Sequence, residues 1–263
     1  MGYIFDYNDA LTCEKWHSSQ QNLQVKSLQG QLMLDLLNPL SCDSILDIGC
    51  GTGEILSYLV ARNNFQLTGI DASPYMLDFA RQKLGNRVGL HRGPAEDLPF
   101  DDNSFHHALL VNSLEFVDNP VKAIEEAARV AKDRLFIGAL NRYAVQGKNK
   151  GASTILEKSM CSKAHFFSVW ELKNIIRSTL GNVPLSWCTV NLMAMAQDNF
   201  IHKIEQNTLI RKLPFGSYIG MVVTLVPTYR VKPLPLKLVE RNKRNMAGSP
   251  CTTAEKKQFA GEK

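Results

Sequence analysis

The sequence predicts an α/β fold, a mostly parallel seven-stranded sheet with an antiparallel edge strand and helices on both faces. Three observations predict it. Short apolar runs alternate with stretches of helical periodicity between residues 28 and 180, the pattern of a parallel sheet covered on two sides. Helix start signals precede three of those stretches. Beyond Gly181 the alternation stops, and two strand-like runs follow with no regular helix between them.

In chain order, Leu28, Leu32, Met33, Leu36 and Leu37 form a helical stripe that ends at Asn38-Pro39, where proline disfavours further helix. The first strand is read at Ser44–Ile48, followed by a helix carrying Ile55, Leu56, Leu59 and Val60. A second strand spans Gln66–Asp71. Ser73-Pro74 then reads as an N-cap with proline in the first helical position, leading to Met76, Leu77 and Ala80 on one face. Strands follow at Val88–Arg92 and Ala108–Val111. Asn119-Pro120 repeats the capping device before Val121, Ile124 and Ala128, and a fifth strand covers Arg134–Leu140. Ser168 and Glu171 make a capping box before Leu172, Ile175, Ile176 and Leu180. Pro184–Leu192 and Tyr218–Val226 are expected to pair antiparallel at the sheet edge. Arg142–Phe167 and Met193–Ser217 are expected to form a rim.

Composition narrows the class. With 263 residues, 44% apolar and 21% charged, the chain suits one elaborated globular domain and excludes a disordered or collagen-like one. The formal charge is +5. Residues 230–263 hold nine Lys or Arg against three Glu, which leaves the preceding 229 residues at −1. A near-neutral body and a basic tail follow, with residues 231–263 expected to be flexible. The six cysteines (13, 42, 50, 161, 188, 251) show no CxxC spacing, as expected of free thiols in a reducing compartment. With no secretory signal and no apolar run long enough to span a bilayer, a cytoplasmic protein is expected.

The most informative stretch is Ser44-Ile45-Leu46-Asp47-Ile48-Gly49-Cys50-Gly51-Thr52-Gly53-Glu54. A buried strand enters a loop with glycine at alternate positions, and a helix follows at once. Glycines there let the backbone turn sharply and bring main-chain N–H groups to a ligand. In the dinucleotide frame G-x-G-x-x-G the third glycine position is Glu54. A pyrophosphate would meet carboxylates at Glu54 and Asp47, so a cationic ligand is favoured. Asp71 ends the next strand, where a carboxylate can accept both hydroxyls of a ribose. The two acids together suit a nucleoside bearing an amino-acid-like cation.

LDIGCGTG (46–53), GIDASPYML (69–77), AEDLPFDDNSF (95–105) and LEFVDNP (114–120) follow one another in order. In these residues the sequence resembles the class I S-adenosylmethionine-dependent methyltransferases. The resemblance is to the small-molecule branch, methyltransferase type 11 or UbiE-like, which includes quinone-biosynthesis enzymes. It covers residues 40–140 well and continues more weakly through LNRYAV (140–145) and the helix after Phe167. The Asp6–Trp16 segment looks like the N-terminal helix of some bacterial members. Four ordered motifs carry far more weight than one glycine loop.

The resemblance implies a Rossmann-like sheet and S-adenosylmethionine as cofactor. It implies that Asp47 holds the methionine amino group and that Gly49, Cys50, Gly51 and Gly53 permit close main-chain contact. Asp71 would take the ribose hydroxyls, Ala72 and Met76 would line the adenine, and Ala95 would offer its N–H to an adenine nitrogen. Asn112 would border the sulfonium. Two positions depart from the pattern. Pro94 stands where many relatives have an aspartate that accepts from the adenine amino group, and Glu96 or Asp97 is the substitute within reach. His106 replaces the aspartate of Ser-Phe-Asp, at a position expected to face structure rather than ligand.

Catalytic candidates are His17, beside Trp16 in a segment able to cover the pocket; Glu115, three residues past Asn112; and His165, on the expected rim. An imidazole suits deprotonation of a hydroxyl or amine near neutral pH. A lone histidine is more commonly structural, and Glu115 serves equally as a cap near Asn119. Cys50 has no base beside it in sequence and reads as a small loop residue. His106 and His107 alternate along a strand and are not read as a shared metal site, so no metal is expected.

The expected organisation is a methyltransferase domain over 1–230 followed by the tail. Within it, 1–40 form a helical lid, 41–140 the cofactor core and 141–230 the substrate rim and edge hairpin. Tyr7, Trp16, Tyr143, Phe166, Phe167, Met193 and Met195 point to a small, partly apolar methyl acceptor. Two other readings are an RNA methyltransferase anchored by the basic tail and a non-catalytic cofactor-binding protein. Against RNA, Asn112-Ser113-Leu114-Glu115 lacks the Pro-Pro-aromatic of base-amino methyltransferases, and the tail has no aromatics interleaved with its charges.

Overall fold

The computed structural model describes residues 2–62, 64–143, 163–190 and 212–225. The basic tail, Met193, Met195 and most of the two rim segments lie outside the described residues. The chain opens with helices α1 (Tyr7–His17) and α2 (Gln20–Leu37), then β1 (Ser44–Ile48), α3 (Glu54–Val60), β2 (Gln66–Asp71), α4 (Pro74–Leu84) and β3 (Gly89–Arg92). It continues with β4 (Phe105–Val111), α5 (Pro120–Val130), β5 (Ala131–Leu140), a helix here called α6 (Val169–Leu180), β6 (Leu185–Val190) and β7 (Tyr218–Thr224).

The seven strands lie in the order β3-β2-β1-β4-β5-β7-β6. From β3 to β5 every pairing is parallel. The β6–β7 hairpin makes the antiparallel edge: β7 runs against both β5 and β6, one place in from the rim. Helices α2, α3 and α4 cover one face, where Met33, Leu37, Leu56, Leu59 and Leu77 pack on Ile45, Leu109 and Phe136. On the other face α5 and α6 bring Ile124, Ala127, Leu172 and Ile176 against Leu46, Leu110 and Ile137.

Local chemistry sets the helix ends. Ser73 accepts from Met76 N, Asn119 from Lys122 N, and Ser168 with Glu171 completes a capping box. Asp6 and Asp9 form a second box at α1. Asn38 stops α2 in the left-handed region at φ 44°. β4 and β5 begin earlier than their apolar residues suggest, at Phe105 and Ala131. The ladder extends through polar residues: His107 Nε2 meets Asp43 Oδ2 at 3.0 Å, and α5 passes into β5 with no intervening turn. His106 takes the structural place expected of it, accepting from Ser44 N at 3.1 Å.

Candidate functional site

A cavity of about 220 Å³ opens at the carboxyl ends of β1, β2 and β4, far larger than the ~15 Å³ one water needs. That is the position of ligand crevices in open α/β sheets, where the strand order reverses between β1 and β4. Its floor is the glycine loop. Gly49 and Gly51 sit at φ 71° and 53°, in the region that favours glycine. Gly49 also has no space for a side chain, because a Cβ there would collide with Ser113. Gly53 is not among the residues of the cavity wall. It caps α3 in the left-handed region, and a Cβ would come within 2.8 Å of Leu84. Its role is to let α3 and α4 pack.

Two carboxylates face the loop. Asp71 accepts from Gly51 N through Oδ2 and from Ser73 N through Oδ1, each at 2.8 Å. Burial raises its pKa, and the two amides work against that rise. Asp47 is 2% exposed, and its Oδ1 has no hydrogen-bond partner among the described residues. Burial, reinforced by the neighbouring Asp71 charge, pushes the Asp47 carboxyl up to about 7. An unpaired buried carboxyl aimed into a cavity is a strong attractor for a cation.

Glu54 requires a correction. Its carboxylate is engaged by Lys26 Nζ at 2.6 Å and by Lys83 Nζ, and Lys83 also holds Glu14 at 2.8 Å. Glu54 is therefore neutralised within an ion-pair network, and the acidity of the loop comes from Asp47 and Asp71.

The nucleoside wall contains Ala72, Met76, Pro94, Ala95 and Glu96. Glu96 lines the cavity while its Oε1 accepts from Asp118 N at 3.1 Å. Asp97 is exposed and outside the wall, so of the two acids that could replace the missing aspartate only Glu96 is in place. The loop behind it is clamped by Arg129, which donates to Leu98 O and Phe100 O and pairs with Glu126 and Asp102. Asn112, at φ 51°, stands at the β4 tip with its N–H on Gly138 O and its Oδ1 buried without a partner among the described residues.

Three catalytic candidates take three different places. His17 lines the cavity beside Trp16, and burial lowers its pKa. Glu115 is buried but outside the wall; Oε1 accepts from Leu140 N at 2.9 Å. It does not cap the helix near Asn119, where Asn119 itself and Glu96 satisfy the amides. His165 is exposed, stacked edge-on against Phe167, and away from the cavity. Cys50 is buried and its thiol is pushed up by desolvation, which suits a loop residue and not a nucleophile.

The expected aromatics also separate. Trp16 lines the cavity, whereas Phe167 is in the core and Tyr7 and Tyr143 are exposed. Two features had no readable signal. The segment Gly2–Phe5 crosses the cavity as a strap, with Tyr3 N on Phe116 O at 2.9 Å and Ser73 Oγ donating to Phe5 O at 2.7 Å. Lys26 and Gln29, on the polar stripe of α2, turn into the wall.

The open sheet, glycine loop and paired strand-tip acids make an α/β domain with an acidic cavity at its switch point. Residues 46–135 match a family model described as a methyltransferase domain. Over 99 residues the chain is 39% identical to an uncharacterized methyltransferase of Mycobacterium tuberculosis, covering 38% of this chain and 40% of the relative. It is 30% identical over 96 residues to the ubiquinone/menaquinone biosynthesis C-methyltransferase of Citrifermentans bemidjiense, covering 34% and 41%. The chain thus spans about two fifths of the length of these curated relatives. A Thermotoga maritima crystal structure described as an S-adenosylmethionine-dependent methyltransferase, possible histamine N-methyltransferase, superposes with a TM-score of 0.60 at 23% identity. The match covers 84% of this chain and 97% of that one. This structural likeness establishes the shared fold. Among the described residues no helix is long and apolar enough to cross a membrane, and no three His, Cys, Asp or Glu side chains group as metal ligands.

Proposed function

We propose that the protein binds S-adenosylmethionine and transfers its methyl group to a small, partly apolar acceptor. The observation that carries this reading is the pairing of Asp47 and Asp71 across the glycine loop of one cavity, one carboxyl unpaired and buried, the other fixed by two backbone amides. The residues fit the cofactor. Asp47 would hold the amino group, Asp71 the ribose hydroxyls, and Ala72, Met76, Ala95 and Glu96 the adenine. Lys26 also lines the cavity, with its ammonium paired to Glu54. The cofactor supplies an electrophilic methyl group on a sulfonium centre.

The chain's own contribution is placement. Methyl transfer is an in-line displacement, so catalysis comes chiefly from holding donor and acceptor in line and excluding water. Asn112 orients at the β4 tip, the strap and α1 close the cavity from above, and Trp16 gives the acceptor side an apolar surface. His17, whose pKa burial lowers, is a lining residue able to accept a proton if the acceptor must lose one. Titration calorimetry of the full chain with S-adenosylmethionine tests the premise, and binding with 1:1 stoichiometry is expected. Absence of heat at millimolar cofactor would remove this reading.

A further inference from the structure

Across the strand tips the acids follow a line. Asp71 ends β2, Asp47 lies on β1, Asn112 tips β4, and beyond it Glu115 reaches the end of β5, where Tyr218 begins β7. Glu115 sits in the turn between Ser113 and Phe116, both of which line the cavity. Its side chain turns behind them. Oε1 accepts from Leu140 N, while Oε2 is buried with no hydrogen-bond partner among the described residues. Tyr218, the register partner of Leu140, is fully buried. Its hydroxyl lies over Gly138, where a Cβ would collide with it, and also lacks a partner among the described residues. Asn112 N–H binds the carbonyl of that same Gly138. Glu115 thus adds a third acid to Asp47 and Asp71, a buried one that lies behind the cavity wall and not in it.

The described residues of the cavity offer little positive charge to balance this. Lys26 is engaged by Glu54, and His17 is held toward its neutral form by burial. Asp47, Asp71 and Glu115 remain without a cationic partner among the contacts the structure shows.

We propose that the methyl acceptor is an uncharged primary or secondary amine, and that the buried carboxyl of Glu115, behind Asn112, is a positioning residue whose field favours the charge that arrives on nitrogen. This rests on the methyl-transfer reading above and names its substrate class. The nitrogen lone pair forms the new N–C bond, and the S–C bond breaks with its electron pair remaining on sulfur. Positive charge passes from sulfur to nitrogen, and the resulting ammonium loses its proton to water on release. A carboxylate fixed behind Ser113 and Phe116 would act on that charge movement through the wall, without touching the acceptor. A phenolate or carboxylate acceptor would instead bring an anion up to an unpaired buried acid. Burial pushes Glu115 up to about 7, and a cation nearby draws it back toward the ionised form. The groups facing it are the Leu140 amide and Tyr218, with Asp47 the next acid facing Tyr218.

Two experiments on the full chain test this. The first measures by calorimetry at pH 8 the affinities for S-adenosylmethionine, whose sulfur is cationic, and S-adenosylhomocysteine, whose sulfur is neutral. Glu115→Gln keeps the acceptor for Leu140 N and removes only charge. It is expected to lower the ratio of the two affinities about tenfold, whereas Glu125→Gln on the exposed face of α5 leaves the ratio unchanged. An unchanged ratio in a folded Glu115→Gln overturns the proposal. The second uses wild-type protein and tritiated S-adenosylmethionine on a small-molecule cell extract, either untreated or acetylated beforehand with an N-hydroxysuccinimide ester to block amines. Loss of labelled product after acetylation supports an amine acceptor, and a labelled product that survives acetylation overturns it. If wild type binds neither nucleoside, the methyl-transfer reading itself fails, an outcome distinct from either of these.

Discussion

At the tips of β1 and β2 the backbone makes the site. Gly49, Gly51 and the amide of Ser73 lie within a few residues of the strands that position them, and Asp71 gathers two of those amides. At the tips of β5 and β7 side chains do that work across long stretches of chain. Asn141, fully buried, donates through Nδ2 to Pro214 O and Gly216 O, each at 2.8 Å, and so fixes the entry to β7. The first region is local and rigid by conformation; the second is assembled from residues more than seventy positions apart. A cofactor half can thus stay constant in geometry while an acceptor half is rebuilt by a few side chains.

The largest effect that would break this contrast is expected at Gly49. Gly49→Ala combines positive φ with a collision at Ser113, and should cost roughly 3 kcal/mol of stability with loss of cofactor binding, read by thermal melting and calorimetry. Asp71→Ala removes an acceptor shared by two amides and the ligand; about 100-fold weaker cofactor binding is expected, with a smaller change in melting temperature. Asn141→Ala should do the reverse. It strands two half-buried carbonyls, costing about 1 kcal/mol in urea unfolding, while the cofactor Kd of the folded fraction stays unchanged; a large shift in Kd would mean that the two halves are coupled.

A subtler test concerns pH. Asp47 has a folded pKa of about 7, raised by burial from an ordinary carboxylate value. The folded ligand-free protein therefore holds more protons than the unfolded chain between about pH 4 and 7, and its stability falls as pH rises through that window. Cofactor affinity moves the opposite way, rising about tenfold from pH 6 to 8 as Asp47 ionises to meet a cation. Asp47→Asn should flatten the affinity profile and raise the ligand-free melting temperature at pH 8. The smallest effect is expected for Glu96→Ala, which releases Asp118 N and should cost about 1 kcal/mol with only a few-fold loss of affinity.

The same contrast explains what was legible in the sequence. The ends of β1 and β2, the caps at Ser73, Asn119 and Ser168, and the glycine loop are all written in neighbouring residues, and the structure carries them as read. A second constraint on Gly53 was not legible because it comes from Leu84, thirty-one positions later. Glu54 looked like a free carboxylate because Lys26 and Lys83 reach it from other helices. Lys26 lies on a polar stripe that ordinarily faces solvent, and nothing local distinguishes it. The starts of β4 and β5 were hidden by polar residues, and their pairing is set by each other, Phe105 opposite Ala131, and by β1 at His107.

The strap of residues 2–5 has a kinetic consequence. A nucleoside lying beneath it is held in by the Tyr3–Phe116 and Ser73–Phe5 hydrogen bonds and the edge-on contact of Phe5 with Phe116. The opening of this short segment is expected to add to residence time beyond the contacts in the cavity. The spent cofactor would then leave at a rate that the strap helps to set, whichever acceptor had just been methylated.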